Sequence, residues 1–339
     1  SIDCSVATGY STDVTVGTLI TNSISGLADG GIKLCVIGRD SSGNYQALAS
    51  ATEATWTKDT GAPTATIAGE PTGLNNTETL NVTVAGSDVT HYRYKVGIST
   101  IDCSLVAGYN PEVTVGTLIT DDISGLVDGG IKLCVIGRDS SGNYQSLASA
   151  TEATWTKDAT PPTATIAGEP TGLNNTETLN VTVAGSDVTH YRYKVGVSSI
   201  DCSIITGYNS EVIVGTLITD DISGLVDGGI KLCVIGRDSS NNYQALASAT
   251  EATWTKDTGA PTATLSGHPT GLNNTTTLNV TVAGSDVTHY QYKVGLSSID
   301  CSVATGYSTD VTVGTLITNS ISGLADGGIK LCVIGRDSS

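Results

Sequence analysis

Eight cysteines recur as four pairs with one spacing. Cys4 and Cys35 are followed by Cys103 and Cys134, Cys202 and Cys233, and Cys301 and Cys332. No CxxC run or Cys/His cluster has zinc-site spacing. One pair per interval reads as four disulfides, Cys4–Cys35, Cys103–Cys134, Cys202–Cys233 and Cys301–Cys332. Such bridges persist in oxidising compartments outside the cytosol. Closing a loop of about 32 residues stabilises a fold by roughly 3–4 kcal/mol in the chain-entropy model. That matters in a chain with 5% aromatic residues, no Phe and no Met.

Other residue types offer less chemistry. His91, His190 and His289 each stand alone between Thr and Tyr, as surface residues of a strand. No nucleophile elbow, His metal pair or phosphate loop occurs. Asp121 and Asp122 are adjacent, and neighbours on a strand point to opposite faces, so they do not share an acid–base site. The DGG sequences at Asp29, Asp128, Asp227 and Asp326 are turn signals. The expectation is a protein that is not an enzyme. N-x-T sequons occur at Asn75, Asn81, Asn174, Asn180, Asn273, Asn274 and Asn279. Asn81, Asn180 and Asn279 fall on the outward side of a strand and are the candidate glycan acceptors.

The elements that position these residues repeat every 99 residues, and GGIKLCVIGRDSS appears four times unchanged. A period this long marks a tandem array of whole domains rather than a solenoid. Within one copy, Ala65 and Ile67 alternate with threonines, and Leu80, Val82 and Val84 alternate with polar residues. Tyr92, Tyr94 and Val96 oppose His91, Arg93 and Lys95, and Ile131, Leu133 and Val135 oppose Cys134. This is the period of half-buried strands, and no sustained helical period appears. About seven short strands predict an all-β, antiparallel sandwich in each copy. Cys134 lies opposite the core residues, so its bridge should staple a loop to the outside of the sandwich. Trp155, in phase with Ala153, is expected to be half buried. The cysteine-loop tyrosines Tyr10, Tyr109, Tyr208 and Tyr307 and the tyrosines of DSSGNY are expected to be exposed.

The period places a partial domain at 1–59, complete domains at 60–158 and 159–257, and a partial domain at 258–339. Residues 1–42 are identical to 298–339, and both ends fall inside a copy, as in a window from a longer array. There is no initiator Met, no signal peptide and no apolar run long enough to span a bilayer. A net charge of -17 repels nucleic acid and anionic membranes and attracts divalent cations. The junctions TKDTGAPT and TKDATPPT leave about four residues between domains, with Pro63, Pro162 and Pro261 restricting the backbone, so a stiff connection is expected.

Asp40-Ser41-Ser42-Gly43-Asn44, followed by Asp59-Thr60-Gly61-Ala62-Pro63 and preceded by GLADGG, resembles the bacterial immunoglobulin-like repeats of large surface adhesins. That resemblance implies a tandem array of immunoglobulin-like sandwiches on the bacterial cell surface. Some such repeats bind calcium at their junctions. Carried over, the candidate ligands are Asp40, Asp59, Asp139, Asp158, Asp187, Asp238 and Asp257, with calcium as the candidate cofactor. The third copy has Asn241 where the others have Gly, and both residues suit a left-handed turn. The expected function is an extracellular structural repeat protein, a stiff adhesin stalk or surface filament. It would continue in a longer array or self-associate. The alternative is a multivalent binding module that recognises a glycan or protein through its loops.

Overall fold

The computed structural model describes residues 2–339 and divides them into two compact units, 2–159 and 160–339. The first unit holds β1 (Gly30–Val36), β2 (Thr52–Lys58), β3 (Thr64–Ala68), β4 (Leu74–Asn75), β5 (Thr83–Ser87), β6 (His91–Ile98), β7 (Val113–Thr114), β8 (Gly129–Arg138) and β9 (Thr151–Lys157). Helical structure among the described residues is limited to three-residue 3-10 turns, such as Leu147–Ser149.

Residues 64–157 form a two-layer sandwich. The smaller sheet pairs β3 antiparallel with β5, Ala65 opposite Gly86. Bridges of Val82 to Ile119 and Thr79 to Asp122 extend it by a third segment. The larger sheet has the order β4-β9-β8-β6-β7 and is antiparallel except for β4, which runs parallel to β9. The chain thus leaves one sheet after β3 and joins the other at β4. That switch, with the three-plus-five division, is the immunoglobulin-like arrangement.

The alternation seen in sequence fills the space between the layers. Leu80, Val82, Val84, Ile119 and Ile123 meet Tyr92, Ile131, Leu133, Val135 and Ala153, all buried. Each fully buried aliphatic side chain is worth about 1.5–3 kcal/mol. Trp155 corrects the sequence-based expectation: it is 4% exposed and part of this core. β9 is an inner strand, flanked by β4 and β8, and its inward face is covered by the smaller sheet. Trp56, in the same sequence on β2, is 42% exposed, because β1 and β2 form a two-stranded sheet. Close packing also fixes Gly86: a Cβ there would lie 2.1 Å from the Thr64 carbonyl oxygen.

The second unit repeats this plan. β10 (Thr163–Ala167) pairs with β12 (Thr182–Ser186). The order β11-β16-β15-β13-β14 unites Leu173–Asn174, Thr250–Lys256, Gly228–Arg237, His190–Val197 and Val212–Ile213. Further along, β17 (Thr262–Ser266) pairs with β18 (Thr281–Ser285). β19 (His289–Leu296) lies between β20 (Val311–Thr312) and β21 (Ile329–Arg336).

Candidate functional site

Three places collect the polar side chains of a sandwich: the loop between β8 and β9, the segment that leaves β9, and the cysteine loop. The first is Asp139–Asn143. Asp139 is 3% exposed, and both its oxygens are engaged. Its Oδ1 accepts the Asn143 backbone N–H at 2.8 Å and its Oδ2 accepts the Asn143 side-chain amide at 2.8 Å. Burial alone would raise its pKa, but these bonds and the N–H groups of Gly142 and Ser141 hold it below the ordinary carboxylate range. Asp40 is lowered likewise, chiefly by the Asn44 amide. Asp238 takes the same bonds from Asn242. Asn241 has φ 72° where Gly142 has 98°, the left-handed turn that both residue types allow.

This loop meets the last strand of the preceding copy inside the first unit. The second amide hydrogen of Asn143 reaches the Asp59 carbonyl oxygen at 3.1 Å, and Ser141 Oγ donates to Asp59 Oδ2 at 2.8 Å. Asp59 Oδ1 accepts the Gly61 N–H at 3.0 Å, which orders the linker. Asn143 therefore bridges two copies with a single planar amide.

The exit from β9 is held by residues that sequence reasoning passed over. Lys157, 3% exposed, donates to the Leu126 carbonyl and pairs with Asp128 at 3.0 Å. Asp128 also accepts the Ala159 N–H at 3.0 Å. Asp29 does the same for Lys58 and Thr60, and Asp227 for Lys256 and Thr258. The N–H of Thr60 and the ammonium of Lys58 lower the pKa of Asp29. These aspartates do more than turn a hairpin, and only the pairing of β8 with β9 brings them to the linker.

In the cysteine loop, Cys103–Cys134 is buried with Tyr109 and Ile136 in a cluster separate from the main core. The other bridges are Cys4–Cys35, Cys202–Cys233 and Cys301–Cys332, and there are no free cysteines. Tyr109 is not an exposed loop aromatic: it is 7% exposed, covers the bridge, and donates to the Cys103 carbonyl at 3.0 Å. Burial pushes its pKa up to about 12. Lys95 lies over its ring at 4.6 Å and donates to the carbonyls of Asp102, Leu105 and Ala107. The 260 Å³ hollow beside this loop contains an ammonium that is already fully bonded.

The remaining sequence candidates are dispersed. Asp187 sits in a tight turn with φ 59° and accepts from Ser186 Oγ. Asp158 donates its N–H to Asn75 O, and Asp257 accepts the Gly259 N–H. No group of three or more His, Cys, Asp or Glu side chains gathers among the described residues. Calcium takes six to eight oxygens, usually with several carboxylates. At the Asp59–Asn143 junction two of the candidate aspartates, Asp59 and Asp139, adjoin one Asn143 amide, and their oxygens face N–H and O–H donors. Asn81, Asn180 and Asn279 are exposed, each between two buried apolar residues in the segment just before β5, β12 or β18. Tyr45, Tyr144 and Tyr243 are exposed as expected. Tyr144 donates to Glu112, which also pairs with Arg138.

No family model matches this sequence, and no curated protein matches it significantly. Among solved structures, the chain is similar to a tetra-tandem repeat from the extending region of a large adhesion protein. Identity is 22%, over 93% of this chain and 80% of that one, with a TM-score of 0.33. A Ca2+-stabilized adhesin, described as helping an Antarctic bacterium reach out and bind ice, is 15% identical. It covers 91% and 81% of the two chains with a TM-score of 0.35. The FN1–FN3 domains of chicken CNTN1 are 9% identical over 79% and 95%, with a TM-score of 0.28. The architecture stands on the strand order itself: the chain is a tandem array of immunoglobulin-like β-sandwiches, with a disulfide in each repeat.

Proposed function

We propose that the chain is a stretch of an extracellular structural protein, a stiff stalk or surface filament of a bacterial cell. Its domains are bounded at 1–59, 60–158, 159–257 and 258–339. The observation that carries this reading is the Asp59–Asn143–Ser141 junction, where the residue that follows one copy's last strand is bonded to the next copy's β8–β9 loop. A five-residue linker that is also bonded at Asp59 and Asp29 has little freedom to swing. The disulfides support a location outside the cytosol. The polypeptide has no helix long and apolar enough to cross a membrane among the described residues.

Small-angle scattering of the chain tests the reading. The expected result is one fixed spacing between neighbouring sandwiches, broadened in an Asp59→Ala, Asn143→Ala double variant that still melts cooperatively. A broad distribution in the unmodified chain would overturn it. The binding-module reading is less favoured, because Tyr109 is folded over the disulfide and the Tyr144 hydroxyl is engaged by Glu112. Asn81, Asn180 and Asn279 are the proposed glycan acceptors, and an intact mass equal to the bare sequence removes them.

A further inference from the structure

The cysteine loop holds apolar side chains out into water. Leu105 and Val106 are 57% and 60% exposed in the first unit, and Ile204 and Ile205 are 52% and 50% exposed in the second. The backbone beneath this tip is pinned. The disulfide fixes Cys103, Tyr109 donates to its carbonyl at 3.0 Å, and Asp102 Oδ1 accepts both the N–H and the hydroxyl of Ser104. Lys95 directs its three ammonium hydrogens to the carbonyls of Asp102, Leu105 and Ala107. Lys194 does the same for Asp201, Ile204 and Thr206. A tip ordered in this way loses little freedom on meeting a partner.

A hollow of 260 Å³ adjoins the loop, with Val96, Ile101, Leu105 and Ala107 among its walls. Its counterpart of 270 Å³ is walled by Val195, Ile200, Ile204 and Thr206. The ammonium that lines each hollow has no hydrogen left for an anion, so the space suits an apolar group. A cavity of about 150 Å³ holds benzene, so a branched aliphatic side chain fits here. Val106 and Ile205 are not wall residues and stand beside the hollow rather than in it. One loop therefore carries both a knob and a hole. Such a surface is self-complementary: across a two-fold axis, the knob of each loop enters the hole of the other.

The repeats distinguish this tip from the surface around it. Residues 63–97 and 162–196 are identical, whereas the consecutive positions 105–107 all differ from 204–206. An exposed position under no constraint accepts polar residues, and Ala107 is replaced by Thr8, Thr206 and Thr305 in the other copies. The tip changes only within the apolar set. Its first position is Val6, Leu105, Ile204 or Val303, and its second is Ala7, Val106, Ile205 or Ala304. We infer that the cysteine loops are the contact through which a second copy of this chain associates, with Val106 or Ile205 of one chain seated in the hollow of the other. One knob and hole bury far less than the about 1,200–2,000 Å² of a stable interface. A single pair of loops therefore holds weakly, and association comes from several loops engaging together. The inference goes beyond the stalk reading and does not depend on stiff linkers, because each loop belongs to its own sandwich.

Sedimentation equilibrium of the whole chain tests it. The expected result is a reversible, concentration-dependent dimer that tightens as salt rises, since chains with a net charge of -17 repel each other and the contact is apolar. Val106→Asp combined with Ile205→Asp should weaken association at least about tenfold. The same variant should keep the urea midpoint of the unmodified chain, because both side chains lie outside the core. Should it not fold, a photo-reactive amino acid at position 106 decides instead: cross-links should join it to the peptide carrying Ile101 or Ile200 of an isotope-labelled second chain. A chain that stays monomeric at millimolar concentration would overturn the proposal. So would an association that the aspartates leave unchanged or that salt weakens, and so would cross-links confined to other peptides.

Discussion

Gln145 shows how much of a sandwich can hang on one amide. Its Oε1 accepts the N–H groups of Ala65 and Gly137, at 2.9 and 3.1 Å, and its Nε2 donates to Ser149 O at 2.7 Å. The residue is 5% exposed and ties β3 to β8 and to the loop between β8 and β9. Gln145→Ala leaves two buried N–H groups without partners and should cost about 2–4 kcal/mol, read as a lower urea midpoint with an unchanged slope. A shift under one tenth of that size would show that water replaces the amide. The aspartates give a second residue-scale expectation. Asp102 and Asp122 are lowered mainly by the side-chain hydroxyls of Ser104 and Ser124, and Asp139 by the Asn143 bonds against burial. Folded values below the unfolded ones mean that these groups stabilise the fold above the unfolded pKa, near 3.9. That contribution is lost as pH falls through the depressed folded values. Below the pI of about 4.4 the chain gains net positive charge, which acts in the same direction. The melting temperature should therefore fall steadily on acidification below about pH 4. Calorimetry showing a rise there would contradict these pairings.

At the scale of the element, the cysteine loop is the part most dependent on covalent closure. It contributes little to the main core, and its bridge lies under Tyr109 with Cys134 fully buried. Reductant should therefore reach the bond slowly in the native protein and quickly in denaturant, a difference that thiol labelling and mass measurement can follow. Once reduced, each sandwich should lose roughly 3–4 kcal/mol in the chain-entropy model. Trp155 and Trp254, both buried, report the loss through their fluorescence. Unchanged stability after full reduction would assign the bridge another purpose. The elements also show where local pattern stops being informative. β3, β5, β6 and β8 follow the two-residue alternation of Ala65, Val84, Tyr92 and Leu133. β4 is hidden in GEPTGLNN, which reads as a turn, because its partner Thr156 lies far along the chain and only the sheet switch brings the two together.

At the scale of the whole molecule, the proposed stiffness rests on the junction of Asp59 with Ser141 and Asn143 inside the first unit. Hydrogen bonds from Ser141 and Asn143 to Asp59 need no ion, so excess chelator should leave the melting temperature and the inter-sandwich spacing unchanged. A fall of several degrees would assign a bound cation and replace the hydrogen-bonded reading. Composition and period already led to an oxidised, acidic array of β-sandwiches, because alternation, turn residues and cysteine pairing are local or strictly periodic signals. The sequence by itself therefore determined the strand faces, the intervals between cysteines and the 99-residue step at which most residues recur. Only the tertiary structure decided that Trp155 is fully enclosed, that Tyr109 closes over a disulfide, and that Gln145, Lys157 and Asp128 hold the ends of strands. Each of those outcomes depends on which distant segment packs on a given face, and a polar or aromatic side chain carries no local mark of the neighbour that will bury it.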